Sequence, residues 1–442
     1  MSSSWRRYWR RLRFALGALL AGVLIATAAA MALGQLLLPL LHEHPQEVAQ
    51  LLSWRLHQPV SVGAVDGEWQ SSGPLLSAQN LHIGQGEHAL RLPRAQLKVD
   101  FGAWLKPDRR WLELRVTGLQ ADIRRDAAGQ WQLTGLSSAS QQTNAAALTD
   151  LPVGLLLRDV TLNIDDSKSQ DHWRLQASLL RAITQGDSLR VAAHLTRKPG
   201  ASPLTVVLHV DSQQHTARMY VAGDDIDLTR WTKGLAWSGV RLEGGRATRL
   251  RLWLGWHDGR LSDIDSIFAL KDLRAASSSQ QAVPLAPLNA RLQAHREGKD
   301  WHATYAERPL VDDKPSARAR LHWQAHADGS SSVDVDASRF DLAKMAPWLR
   351  LWPQLPSKLA AWLQAAKVHG KIDQAHVTWV DANQFDVQAQ LKDVGFDAVG
   401  MLPSVDALRG ELRADADALS LSLPPQALTI DEPKVFRQPF VL

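Results

Sequence analysis

Asp66, Glu68 and Trp69 stand among glycines in VGAVDGEWQSSGPLLSAQNLHI (Val62–Ile83), a grouping that acid–base chemistry could use. Acid–base work needs two carboxylates converging on one bond. The carboxylates of this chain are instead scattered singly through turn-like stretches. Gly67 and Gly73–Pro74 are expected to mark turns, with Asp66 and Glu68 as their solvated acids. Histidine offers a second possibility, with His42 and His44 in HEH and with His322 and His326 further on. The first pair follows a long apolar run, where polar residues are expected anyway. The second is spaced too widely along a strand for one ion, and no HExxH pair exists. No metal is expected.

Gly186–Leu189 spells GDSL, a tetrapeptide used by some serine esterases. Ser188 would need a histidine base and oxyanion donors facing it. No supporting histidine motif follows, and Gly-Asp-Ser before the alternating run Leu189–Leu195 is the chemistry of a hairpin turn. Glu243–Gly244–Gly245 is the nearest approach to a phosphate loop, but lacks both the GxxxxGK[ST] and the GxGxxG spacing. No catalytic residue and no cofactor is expected. Trp69, Trp111, Trp131, Trp173, Trp253, Trp301 and Trp379 sit near strand ends, suited either to core packing or to amphipathic contact with lipid.

The charge balance removes another class. Lys and Arg number 50 against 45 Asp and Glu, a formal charge of +5. Arg6, Arg7, Arg10, Arg11 and Arg13 account for all of it, so the rest of the chain is neutral and offers no footprint for nucleic acid. With 0 Cys there are no disulfides, thiolate ligands or thiol nucleophiles.

The elements that position these residues begin with the basic tail, 1–13. From Phe14 to Leu41 no residue is charged, long enough for a helix across a bilayer of ~30 Å. A cleaved signal peptide is the alternative reading, with TAAAMA as its cleavage region; its apolar stretch would be only ~7–15 residues. The arginines place the tail in the cytoplasm and the body across the membrane, which in a bacterial envelope is the periplasm. PQEVAQLLSWRLHQ then carries a helical stripe of Val48, Leu51, Leu52 and Leu56, lying against the bilayer or the first strands.

From Val60 the period becomes two. Leu97, Val99 and Phe101 alternate with polar residues, as do Leu112, Leu114 and Val116. So do Val206 and Leu208; Leu250, Leu252 and Leu254; and Phe385, Val387 and Leu391. Such runs predict strands with one buried side, joined by short turns and therefore mostly antiparallel. Two polar stretches, 137–150 and 275–287, read as surface loops, which gives a first β segment at 42–136 and a repetitive β region at 151–442. Helices are few: LPSKLAAWLQAAKVHG, with Ser357 as N-cap and Gly370 past its end, and DLTRWTKGLAW, with Leu228, Trp231 and Leu235 on one face. IDLTRW at Ile226 and FDLAKM at Phe340 are alike, a weak internal repeat.

A long sheet with one apolar face must cover that face. With too few helices for the task, it either folds on itself as a sandwich or curls into a trough with an apolar occupant. For a membrane-tethered chain the natural occupant is a lipid acyl chain, each buried methylene contributing about 0.8 kcal/mol. The fourteen strand residues named above, from Leu97 to Leu391, are the candidate groove lining.

The basic tail and anchor followed by VGAVDGEWQSSGPLLSAQNLHI resemble the N-terminus of AsmA-like proteins, particularly the YhdP group. LELRVTGLQADIRRDAAGQWQLTGL and FDLAKMAPWLRLWPQLPSKLAAWLQAAKVHGKI are similar to it as well. The resemblance implies a mainly β protein: an anchor helix, then a long curled antiparallel groove with a few short helices. It implies phospholipid carried between inner and outer membranes, supporting the outer-membrane barrier, with no catalytic residues. Its expected partners are the inner-membrane bilayer, phospholipid acyl chains, and proteins at the groove ends. The alternative is a TamB-like assembly factor for outer-membrane proteins. Members of the group are longer, and DEPKVFRQPFVL reads as a strand in progress, so an N-terminal portion of a longer protein is expected.

Overall fold

The computed structural model describes residues 21–441 apart from 23–24, 26–27, 30, 37, 57, 71, 85–88, 104–111, 126–130, 134–152, 167–170, 186, 198–199, 233–235, 238, 278–281, 309–315, 327–329, 352–356, 382–383, 401 and 432–439. The chain divides into two compact units, Met1–Pro199 and Gly200–Leu442. The polar stretch 137–150 therefore belongs to the first unit.

In the first unit residues 31–36 are helical and a 3-10 turn follows at Leu38–Glu43. Among the described residues no helix is long and apolar enough to cross a membrane. The basic tail and residues 14–20 of the expected anchor lie outside the description. Helix α1 (Pro45–Leu56) turns Leu52 onto the first strands and leaves Leu51 and Trp54 exposed on its outer side. Strands β1 (Val60–Ser61), β2 (Ala64–Gln70), β3 (Gly73–Ile83), β4 (Leu90–Val99) and β5 (Leu112–Thr117) follow. The unit continues through β6 (Gln120–Arg125), β7 (Trp131–Leu133), β8 (Val153–Asp166), β9 (Asp171–Gln185) and β10 (Ser188–Thr196).

The antiparallel pattern expected of most strands has its exception at β8, which runs parallel to both β5 and β6. A parallel neighbour needs a long connection, and residues 134–152 supply one where a tight turn could not. β5 and β6 hold the same register to β8, so they act as one strand broken at Gly118–Leu119. The break belongs to a transverse line. Flanking registers place Asn80, Pro93, Gly118 and Asp159 opposite one another, and three of these have left-handed backbones (φ 51, 79 and 54). Asn, Asp and Gly tolerate that region best, and irregularities of this kind bend and twist each strand at one height.

The second unit holds β11 (Leu204–Asp211), β12 (Thr216–Gly223), β13 (Ile226–Asp227), helix α2 (Leu228–Thr232) and β14 (Ala236–Trp237). Then come β15 (Val240–His257), β16 (Arg260–Ser277), β17 (Val283–Pro284), β18 (Leu288–Glu297), β19 (Asp300–Glu307), β20 (Arg318–Ala325) and β21 (Ser331–Asp341). Helices α3 (Leu342–Arg350) and α4 (Ser357–Ala365) intervene before β22 (His369–Asp381), β23 (Gln384–Phe396) and β24 (Ser404–Asp415). Last are β25 (Leu419–Ser422), β26 (Thr429–Asp431) and β27 (Phe440–Val441). The described pairings of this unit are antiparallel. Residues 275–277, expected in a loop, instead extend β16. The IDLTRW and FDLAKM repeat is real structure: each Asp ends a strand and opens a helix, and Asp341 accepts from the N–H groups of Ala343 and Lys344.

Here too left-handed residues and register shifts lie toward one end of the strands. Asp272, Arg339 and Asp393 are left-handed (φ 55, 60 and 52), and register shifts fall beside them in β15–β16, β22–β23 and β23–β24. Gly370 faces Asp393 so closely that a Cβ would meet its carbonyl oxygen at 2.5 Å. Toward this end of the strands the helices close over the sheet. Leu228 and Trp231 of α2 pack on Leu204, Ile226 and Ala247; Leu342 of α3 packs on Val394 and Leu408. Trp362 of α4 meets Phe396 edge-on at 5.4 Å. The end of α4 is a left-handed Lys367 (φ 44), earlier than the expected Gly370.

Candidate functional site

The acidic stretch is strand, not turn. Asp66 and Glu68 both lie within β2, paired to β3, so neither they nor Gly67 mark a turn. Gly67 serves close approach: a Cβ there would meet the Leu38 carbonyl oxygen at 2.7 Å. His42 bonds Asp66 at 2.8 Å, and Glu68 accepts from Gln70 at 2.8 Å. Trp69 stacks on Phe101 with centroids 5.9 Å apart and touches Gly34 of the N-terminal helix. These residues seat the 3-10 turn and the helix before it on the first strands.

The other sequence candidates resolve similarly. Asp187 sits in the β9–β10 hairpin and Ser188 pairs with Gln185 across it, as turn chemistry predicts. His44 meets Glu47 at 3.2 Å in α1, and His326, past the end of β20, bonds Ser332 at 3.0 Å. His322 stacks on His302 at 4.3 Å, far from His326 in role. Gly244 and Gly245 lie inside β15, where Leu273 crowds Gly245. Among the described residues no three His, Asp or Glu side chains form a metal-holding group.

What the registers do assemble is a face. In the first unit Leu76, Leu97, Leu114, Leu155, Ala182 and Val191 stand in one transverse row. Ala78, Ala95, Val116, Leu157, Leu180 and Ala193 form the next row, and Val99 faces Leu112 beside them. Phe101, also expected among the lining, lies in the turn after β4, where it is 48% exposed and stacks on Trp69.

In the second unit one row runs Val206, Val221, Leu252, Ser266, Leu292, Tyr305, Ala319, Ala337, Ala375, Ala389, Leu412, Leu421. The next runs Leu208, Met219, Leu254, Ile264, Ala294, Ala303, Leu321, Val335, Val377, Val387, Ala414, Leu419. Leu250 faces Phe268 on one flank, Phe385 faces Trp379 on the other, and Leu391 faces Ile372. All the candidate lining residues of this unit thus share a single face spanning twelve strands. Away from the helices its side chains are mostly half-buried. Leu419 and Leu421, at the β25 edge, are exposed.

The opposite face is polar. Asp263, His295, His302, His322, Asp334, Thr378, Asp386 and Asp415 form one of its rows. Arg291 grips Asp265 through two hydrogen bonds, at 3.0 and 2.6 Å, and Arg251 grips Asp224 at 3.0 Å. Each guanidinium holds its carboxyl below the ordinary value, chiefly by hydrogen bonding. On the apolar face, burial and then the Glu307 charge push the Tyr305 hydroxyl up to about 12.

Sequence reading missed most of the alanine part of the face, Ala319, Ala337 and Ala375. Ala alternating with Arg, as in RARLHW, was the available signal, but alanine is too weakly apolar to announce a lining residue. Of the tryptophans, Trp301 and Trp379 lie on the apolar side, in a row with Trp323 and Val333, while Trp253 meets Tyr220 on the other, the two rings tilted at 38°. Trp111 lies outside the described residues, as do the side chains of Trp131 and Trp173.

No curated protein matches this chain. The family model described as YhdP protein matches residues 1–442, and the chain belongs to the YhdP family.

Proposed function

We propose that this protein is a non-enzymatic lipid carrier, anchored in the inner membrane by residues 14–41, whose periplasmic body moves phospholipid toward the outer membrane along its apolar sheet face. One observation carries the reading: a predominantly apolar face across twelve strands of the second unit, which among the described residues helices α2, α3 and α4 cover toward one end. A face of that extent needs an apolar occupant, and acyl chains require no specific contact to be held there. Family membership supports the same reading.

Photo-crosslinkers at Leu252 and Leu254 should capture phospholipid; at Arg249 and Arg251 they should not. Equal labelling from both sets would sink the proposal. The second reading, a guide for outer-membrane proteins, is favoured by the exposed leucines of β25, since an apolar strand at an edge invites pairing with another chain. Crosslinks from Leu421 to outer-membrane proteins, with no lipid captured at Leu252, would select it.

A further inference from the structure

Three strands stop where their neighbours continue. β18 begins at Leu288, β19 ends at Glu307 and β20 begins at Arg318, whereas β16 runs on to Ser277 on one flank and β21 to Asp341 on the other. The notch between them is a cavity of about 560 Å³. Leu270 and Leu288 line it on the side of the apolar face, next to Phe268 and Ala290.

The notch is strongly cationic. Among the described residues Lys271, Arg308, Arg339, Lys344, Lys371 and Lys392 line it, against three carboxylates. Two of those acids are engaged: Glu307 bonds Lys344 at 2.9 Å, and Asp341 caps α3. Among the described residues Asp373 is left to balance the other five cations. Lys371 and Lys392 stand directly opposite one another on β22 and β23, an arrangement that destabilises a sheet. Neither has a carboxylate within salt-bridge distance among the described residues. Arg339 adopts a left-handed backbone (φ 60), which suits Asn, Asp or Gly better than a long side chain. Charge repulsion of this kind is relieved by an anion seated between the cations.

We propose that the notch binds a phosphoryl anion: the headgroup phosphate of a phospholipid whose acyl chains lie on the adjoining apolar face. This rests on the lipid-carrier reading and adds to it a point where the headgroup leaves the sheet. An apolar face alone would treat all lipids of equal chain length alike. A cationic notch at its border would favour those bearing a phosphate.

The test uses the full chain with a photo-crosslinker at Leu250, mixed with vesicles containing either phosphatidylglycerol or diacylglycerol with the same acyl chains. Phosphatidylglycerol should be captured about fivefold more, the size of effect expected from losing one or two solvent-exposed ionic contacts. Lys371→Gln with Lys392→Gln should abolish that preference while leaving diacylglycerol capture unchanged. Lys371→Arg with Lys392→Arg should retain it. The neutralised pair should melt no lower than the parent, since it removes facing like charges. Equal capture of both lipids by the parent, or a preference that survives neutralisation, overturns the headgroup site and leaves the groove standing. Inorganic phosphate binding that depends on the two lysines, without any lipid preference, would assign the notch to free phosphate and also overturn it. Capture of neither lipid sinks the groove reading and this one with it.

Discussion

Tyr305 reports the dryness of the apolar face at a single atom. Its hydroxyl is shifted from 10.0 to about 12 by burial first and the Glu307 charge second. A raised phenol favours the neutral form, so its contribution to stability is complete below pH 10 and is lost as pH rises towards 12. With 3 Tyr in the chain, absorbance titration should find one phenolate forming about two units late. Glu307→Gln should bring it only part of the way back, since burial is the larger cause. Asp265 behaves in the opposite sense. Arg291 depresses its carboxyl, so their contact stabilises above the ordinary value of 3.8 and is lost as pH falls below it. Both side chains are substantially exposed, so Arg291→Gln should cost no more than about 0.5 kcal/mol at pH 7. Melting curves of the two proteins should converge well below pH 3.8; a gap that persists in acid would assign the loss to packing. Neither residue was legible beforehand, because a tyrosine in a strand does not say which face it takes.

At the scale of elements, alternation made the strands and their inward residues readable, and Leu97, Leu114, Leu252 and Val387 sit where period two puts them. Its limits were the bulges. Counting by twos from Val335 sends Arg339 inward, yet the left-handed backbone there resets the parity and turns Phe340 to the apolar side, stacked on Tyr305 at 6.0 Å. A local dihedral of that kind leaves no periodic trace. The same holds at Asp159, opposite Gly118, where the break in β5–β6 made two strands of what behaves as one. Asp159→Gly should be nearly neutral, whereas Asp159→Val should cost about 1–2 kcal/mol, because a branched side chain resists that region. Urea denaturation of both variants checks this; equal losses would mean that the side chain, not the backbone angle, matters there. The parallel placement of β8 was equally hidden, since no pattern in β8 itself announces it.

For the molecule as a whole, the sequence supported a mainly β chain with one apolar face, and the registers turn that into an ordered surface within the second unit. Its texture is uneven. Ala319, Ala337, Ala375 and Ala389 form a low track across four adjacent strands, with Tyr305 before it and Leu412 after it. Leu321, Val335, Val377 and Val387 rise beside it in the next row. If acyl chains pass along this face, bulk placed on the track should obstruct them without disturbing the hydrogen-bonded ladder beneath. Ala375→Trp suits the purpose, as Ala375 is half-buried and its row neighbours are both alanine, so a ring can lie over them. The expected outcome is directional. Lipid offered to the intact chain should still reach a crosslinker at Leu252, on one side of the block, and should fall severalfold at one placed at Leu412, on the other, or the reverse, according to the direction of travel. Ala375→Ser, which adds little volume, should leave both signals unchanged. Loss at both positions would point instead to a general disruption of the face, and loss at neither would mean that lipid does not travel through this row.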